Sequence, residues 1–155
     1  MTFDEAFERL IGHEGGYVAD SRDPGGETKY GISKRQYPGE DIAGMTLQRA
    51  AQIYRRDYWG PAGCDALPDE VRFDVFDMAV NSGVKTAIRT LQGAVGEDQD
   101  GILGPRTLQA VQSMPPARLK SRLSGARLLM LTTLPTWGVF GKGWTRRIAT
   151  NLMRA

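Results

Sequence analysis

Residues 15–33 read GGYVADSRDPGGETKYGIS. Glycine, proline, aspartate and serine crowd this stretch, and each favours turns for its own backbone reason. The β-prone pieces, Tyr17–Val18 and Thr28–Ile32, are short. The pattern predicts an irregular β-hairpin. Everything around it has helical spacing. Residues 2–13 begin with Thr2 and Glu5, a capping-box pair, and place Phe3, Phe7, Leu10 and Ile11 on one face. Gly15 or Gly16 would end that helix. Downstream, TLQRAAQIYRRDYW (46–59) sets Leu47, Ala50, Ala51, Tyr54 and Tyr58 at helical spacing. Pro68 stands at a predicted first helical position, with Asp69 and Glu70 in the first turn, and opens a helix to about Asn81. Further helices are predicted over VKTAIRTLQGAVG, over RTLQAVQSM after the DQDGILGP loop (98–105), from Pro115–Pro116 to about Thr133, and over GWTRRIATNLMRA. In the last, Trp144, Ile148 and Leu152 are spaced by four. The fold class is mostly α (α+β): a helical domain with one small N-terminal β-hairpin.

At 155 residues the chain is long enough for a single domain with a real core. Its longest apolar stretch, LLMLTTLP (128–135), is too short to span a bilayer. The acidic, amphipathic start MTFDEAFERL lacks the pattern of a signal peptide. The expectation is synthesis in the cytoplasm and, for any role elsewhere, release by another factor. Cys64 is the single cysteine, which excludes an internal disulfide. Charge is uneven: residues 1–100 hold 11 Lys/Arg against 18 Asp/Glu, net −7, while residues 101–155 hold 9 Lys/Arg and no acid, net +9. A basic final third suits a polyanion such as cell-wall polymer, lipid headgroups or nucleic acid. The plainer reading, at least as good for most of these cations, is that they pack against the acidic part.

The residue inventory narrows the chemistry. His13 is the one histidine, too few for the usual zinc hydrolase site or, without a GxSxG elbow, for a serine triad. A Cys64–His13 pair would place the thiol in a loop rather than at an activating helix N-terminus. No phosphate-binding glycine loop is present. DQDG starts like a calcium loop but does not continue as one, so a solvated turn is the better reading. Carboxylate chemistry remains. Glycoside hydrolysis needs an acid with a raised pKa and usually a second carboxylate. Glu14 at a predicted helix C-terminus suits the acid, since the dipole there disfavours its ionised form. Equally, it could be a surface glutamate or the partner of Arg146 or Arg147. Asp23 in RDPGG is a candidate second carboxylate, though Asp before Pro-Gly commonly starts a turn. Asp20 and Glu27 compete for that role, and Thr28 could assist in placing a water. In the helix 68–82, Asp74, Asp77 and Asn81 form a polar stripe opposite Val71, Val75, Met78 and Ala79. Such a stripe is commonly solvated; functionally, Asn81 and Asp77 would bind glycan. Tyr30, Trp59 and Trp137 are candidate stacking surfaces, each also a candidate core or rim residue.

EGGYVADSRDPGGETKYGIS (14–33), YRRDYWGP (54–61) and FDMAVNSG (76–83) together resemble glycoside hydrolase family 108, the phage endolysins and related N-acetylmuramidases. DGILGPRT (100–107) is similar to that family's C-terminal region, described as peptidoglycan-binding. The resemblance covers nearly the whole chain. It implies a lysozyme-like domain over 1–155, with catalytic hairpin and helices in 1–95, a helical peptidoglycan-binding-like region in 96–155, and a cleft beside the hairpin. It implies hydrolysis of the β-1,4 bond between N-acetylmuramic acid and N-acetylglucosamine, with Glu14 as the catalytic glutamate. Glu14 and Asp23 keep the spacing of the looser phage-lysozyme pattern, while Thr28 falls one residue early. Tyr30, Asp77, Asn81 and Trp59 would then serve the glycan. No metal or cofactor is expected. The expected partner is the peptidoglycan glycan strand, met by a monomer after release through a holin. Contact of the basic C-terminal region with an anionic or outer membrane is a further expectation, and nucleic acid is not expected as a partner. The alternatives are a lytic transglycosylase at the same site, a non-catalytic wall-binding or secretion-assisting protein, and a nucleic-acid binder.

Overall fold

A computed structural model of the chain describes residues 1–12, 16–19 and 26–154. Glu14, Asp20 and Asp23, with His13 and Gly15, lie outside the described residues. The chain divides into two compact units, Met1–Asp57 and Tyr58–Ala155.

The first unit opens with α1 (Phe3–Ile11). Its capping box forms: the Thr2 N–H donates to the Glu5 carboxylate at 2.6 Å, and the Glu5 N–H to the Thr2 hydroxyl at 3.3 Å. Phe3, Ala6 and Phe7 are buried, while Leu10 and Ile11 are partly covered. The helix closes earlier than predicted. Gly12 caps it, its N–H donating to the Glu8 carbonyl at 2.8 Å. A Cβ at Gly12 would lie 2.9 Å from that carbonyl, so glycine is what permits the close.

Two strands, β1 (Thr28–Lys29) and β2 (Ile32–Ser33), pair antiparallel with Thr28 opposite Ser33 and Lys29 opposite Ile32. Tyr30 and Gly31 join them, both at positive φ (51° and 75°). Two such residues make the turn that matches the twist of a tight hairpin. Val18 pairs with Thr28 on the other side, through two hydrogen bonds of 2.8 Å. Helix α2 (Leu47–Tyr54) starts at Thr46, whose hydroxyl accepts the Arg49 N–H at 3.1 Å. It buries Ala50, Ile53 and Tyr54, whereas Leu47 is half exposed. The Phe7 ring meets Phe3 at 5.7 Å and Tyr54 at 5.5 Å, which fastens α1 to α2. A π-helical turn, Arg55–Trp59, follows α2 directly.

The second unit is built on α3 (Asp69–Ser82), for which Pro68 serves as N-cap rather than first helical residue. Residues Phe73 to Ala79 are buried without a break, so α3 has no solvated stripe. Helix α3 packs on α4 (Val84–Val95) and α6 (Pro116–Thr132), α4 packs also on α6 and on α5 (Pro105–Ser113), and α6 packs on α7 (Trp137–Met153). Because α4 and α6 share one core, the subdivision expected near residue 95 falls inside this unit. Helix α7 starts at Trp137, earlier than the predicted Gly143.

The DQDGILGP loop is tied down by a buried side chain. The Gln92 Nε2 donates to Asp100 Oδ1 at 2.7 Å, to the Ile102 carbonyl at 3.0 Å and to Thr107 Oγ1 at 3.2 Å, while its Oε1 accepts the Gly101 N–H at 2.9 Å. Hydrogen bonds from Gln92 and then from the Ile102 N–H lower the Asp100 pKa.

Candidate active site

In the first unit, the hairpin gathers several of the residues singled out from sequence. Thr28 lies in β1, partly exposed, with its backbone paired to Val18. Glu27 precedes it, and its carboxylate accepts the Tyr17 hydroxyl at 2.9 Å. That hydrogen bond, followed by burial and Coulombic repulsion, raises the Tyr17 pKa. Tyr17 is 44% exposed, so this rung lies at the surface. Tyr30 holds a left-handed backbone, which is uncommon for a bulky residue and is kept only when the surroundings enforce it. The enforcing group is Tyr54, whose hydroxyl donates to the Tyr30 carbonyl at 3.0 Å. The Lys29 ammonium lies 5.7 Å from the Tyr30 ring centroid and donates to the Ala43 carbonyl at 3.0 Å. The hairpin thus brings Glu27, Thr28 and Tyr30 together. Tyr17 and Tyr54 were not foreseen in this role; Tyr17 carried a signal, being adjacent to the glycines of the same signature.

At the end of this unit Asp57 forms a fork with Arg56, at 2.5 Å to Nε and 2.7 Å to Nη2, and accepts the Tyr37 hydroxyl at 3.0 Å. The Arg56 hydrogen bonds, with help from Tyr37, hold the Asp57 carboxyl below the usual carboxylate range.

In the second unit, two groups expected to bind glycan have other places. Trp59 is 1% exposed, its indole N–H donates to Asp65 Oδ1 at 2.9 Å, and its ring meets Phe76 edge-on at 5.3 Å. No ring face is left on which a sugar could stack. Asp77 is likewise 1% exposed. Its Oδ2 accepts from Arg127 Nη1 at 2.7 Å, and its Oδ1 from Arg147 Nε at 2.8 Å and Nη2 at 2.6 Å. Burying a carboxylate demands such partners. The same logic serves Asp74, which lies 3.6 Å from the Lys120 ammonium. The plainer reading of the basic third therefore holds for Lys120, Arg127 and Arg147: they reach acids of α3. Asn81 is exposed, and its Nδ2 donates back to the Asp77 carbonyl at 2.6 Å. Trp137 lies at the start of α7, partly exposed, 6.2 Å from the Trp144 ring. Cys64 is buried, and desolvation pushes its thiol up to about 12, which suits an inert core group. Arg127 became visible only through the fold, and Arg147, named from sequence as a partner for Glu14, is seen to hold Asp77, far from it along the chain.

The sequence model for glycosyl hydrolase 108 matches residues 7–83. The solved structure of SagA from Brucella abortus is similar over 98% of this chain and 92% of its own, at 38% identity and a TM-score of 0.87. The chain belongs to the glycosyl hydrolase 108 family. No curated protein matches it. As a member of glycosyl hydrolase 108 it is a glycoside hydrolase of a peptidoglycan-degrading family, with a mostly α, lysozyme-like fold. Of the site residues singled out from sequence, all but Trp137 fall inside the span matched to the glycosyl hydrolase 108 model, and likeness to SagA extends through α4 to α7.

Proposed function

We propose that this glycoside hydrolase is an N-acetylmuramidase that cleaves the β-1,4 bond between N-acetylmuramic acid and N-acetylglucosamine, with Glu14 as general acid. The observation that carries this reading is the place of Glu14, at the head of EGGY inside the matched residues 7–83. Glu14 protonates the leaving glycosidic oxygen. Asp23 orients the attacking water or steadies positive charge on the sugar, with Asp20 as the alternative. Glu27 is the weaker third choice, since its carboxylate already accepts the Tyr17 hydroxyl. Thr28, held against Val18, helps place the water, and Tyr30 and Asn81 hold the glycan.

The test is Glu14→Gln, assayed for clearing of purified peptidoglycan beside the parent. Loss of a general acid costs about 10²–10⁴ in rate, while the melting temperature should stay at the parental value. Near-parental clearing sinks the assignment. Product analysis completes it: reducing ends mark hydrolysis and anhydro ends a lytic transglycosylase.

The site of action proposed is the bacterial wall, reached after release through a holin. A membrane contact is supported by one feature of α7: Val139 (76% exposed) and Phe140 (53%) stand beside exposed Lys142 and Arg146. Apolar side chains flanked by cations suit an anionic bilayer surface. Cosedimentation with phosphatidylglycerol vesicles, lost in Phe140→Ser, tests it.

A further inference from the structure

Within the first unit, the two-residue turn between β1 and β2 carries an unusual residue. Such turns, with both residues at positive φ, favour Asn-Gly. Here the pair is Tyr30-Gly31, and Tyr30 sits at φ 51°. A bulky residue there is strained, and such strain clusters where a side chain serves a ligand. The surroundings hold it in place. The buried Tyr54 hydroxyl donates to the Tyr30 carbonyl at 3.0 Å. The same hydroxyl fills the space that a Gly31 side chain would need, 2.5 Å from a Cβ placed there. The Tyr54 ring is in turn fixed against Phe7, 5.5 Å away between centroids. The Lys29 ammonium lies 5.7 Å from the Tyr30 ring centroid and is tied to the Ala43 carbonyl at 3.0 Å. The bracing stops at the ring. Tyr30 is half-buried, and its hydroxyl has no hydrogen-bond partner among the described residues. The fold thus fixes the Tyr30 backbone against its own preference and leaves the phenol unspent, the arrangement of a group kept for a ligand.

We infer that Tyr54 is a positioning residue of the hydrolase: its hydroxyl keeps the Tyr30 turn left-handed, which sets the Tyr30 side chain where it meets the glycan. The inference rests on the proposed function for the contact between Tyr30 and glycan, and adds the residue that governs it. Without the Tyr54 hydroxyl the turn relaxes toward the negative φ that tyrosine prefers. Only the fraction of molecules still in the strained turn then binds well, and apparent affinity falls by that fraction. One hydrogen bond between neutral groups shifts such an equilibrium by roughly two- to tenfold.

The test measures KM and kcat of the full chain on peptide-stripped peptidoglycan strands, well below the melting temperature of every variant. Tyr54→Phe keeps the ring and its packing and removes the hydroxyl. It should raise KM about threefold or more, with kcat changing less. Tyr30→Asn keeps the left-handed turn, which asparagine tolerates, and removes the ring. It should raise KM at least as much. In the Tyr30→Asn background, Tyr54→Phe should have no further effect on KM, because nothing remains to be positioned. Ile53→Val loosens packing at a fully buried residue of the same helix. It should lower the melting temperature and leave KM at the parental value, which separates positioning from a general loosening of α2. A parental KM in Tyr54→Phe overturns the inference. So does an undiminished effect of Tyr54→Phe in the Tyr30→Asn background, or an equal rise of KM in Ile53→Val. A parental KM in Tyr30→Asn removes both the glycan contact and the inference. If Tyr30→Asn raises KM and Tyr54→Phe does not, the glycan contact stands and the positioning role falls. If clearing survives Glu14→Gln while the tyrosine variants behave as expected, the positioning role stands and the assigned acid falls.

Discussion

The Tyr54 hydroxyl donates to the Tyr30 carbonyl at 3.0 Å, and the same oxygen would lie 2.5 Å from a Cβ placed at Gly31. One side chain of α2 therefore both anchors the hairpin turn and forbids a side chain beside it. Gly31→Ala should lower stability by roughly 2 kcal/mol, from the positive φ and the clash together. Tyr54→Phe should cost about 1 kcal/mol. The double variant should cost less than the sum, because removing the hydroxyl also removes the obstacle. Thermal unfolding of the four proteins checks this; strict additivity would contradict the shared contact.

The Asp77 cluster predicts an order of damage. Asp77→Ala strips a buried guanidinium of its carboxylate and should cost about 3–5 kcal/mol. Arg147→Ala should cost less, about 1–2 kcal/mol, since the Arg147 side chain is 36% exposed and Arg127 still faces Asp77. Urea unfolding gives the ranking, and the reverse order would show that Asp77 is not the hub.

Asp57 predicts part of the acid response. Its folded pKa is depressed by Arg56 and Tyr37. Its contribution is therefore complete above the unfolded value of about 3.9 and is lost as pH falls through the lower folded value. Asp57→Asn should be less stable than the parent at neutral pH, and the two should converge as pH falls below about 4. Stability curves for both proteins decide it; a constant difference down to pH 2 would be the contrary result.

Cys64 provides a probe. Buried and with its thiol pushed up to about 12, it should react with a disulfide reagent only when the surrounding core opens. Labelling should be slow in native buffer and rapid in denaturant. Fast stoichiometric labelling of the native protein would contradict the burial.

What was legible in the sequence was what neighbouring residues decide. Thr2 and Glu5 announced the capping box, and Tyr17–Val18 with Thr28–Ile32 announced the hairpin. The end of α1 was less legible, because Gly12, Gly15 and Gly16 compete and the choice of Gly12 depends on its tight approach to the Glu8 carbonyl. The π-helical turn that ends at Trp59 left no mark in the apolar spacing. The stripe Asp74–Asp77–Asn81 has the same pattern whether water or arginine faces it, and the cations that decide come from α6 and α7. Of the catalytic candidates, Glu14 was legible as a signature residue, while the groups that brace Tyr30 and Glu27 required the fold.

The double arginine grip on Asp77 bears on how this enzyme can be recombined. The family match ends at residue 83, just past α3, whereas both guanidinium groups come from beyond residue 120. A fragment cut at that border would keep the buried acid and discard its counter-ions. The hydrolase segment is thus not a portable cassette, and workable chimeras of such enzymes would exchange α3 to α7 as one inheritance.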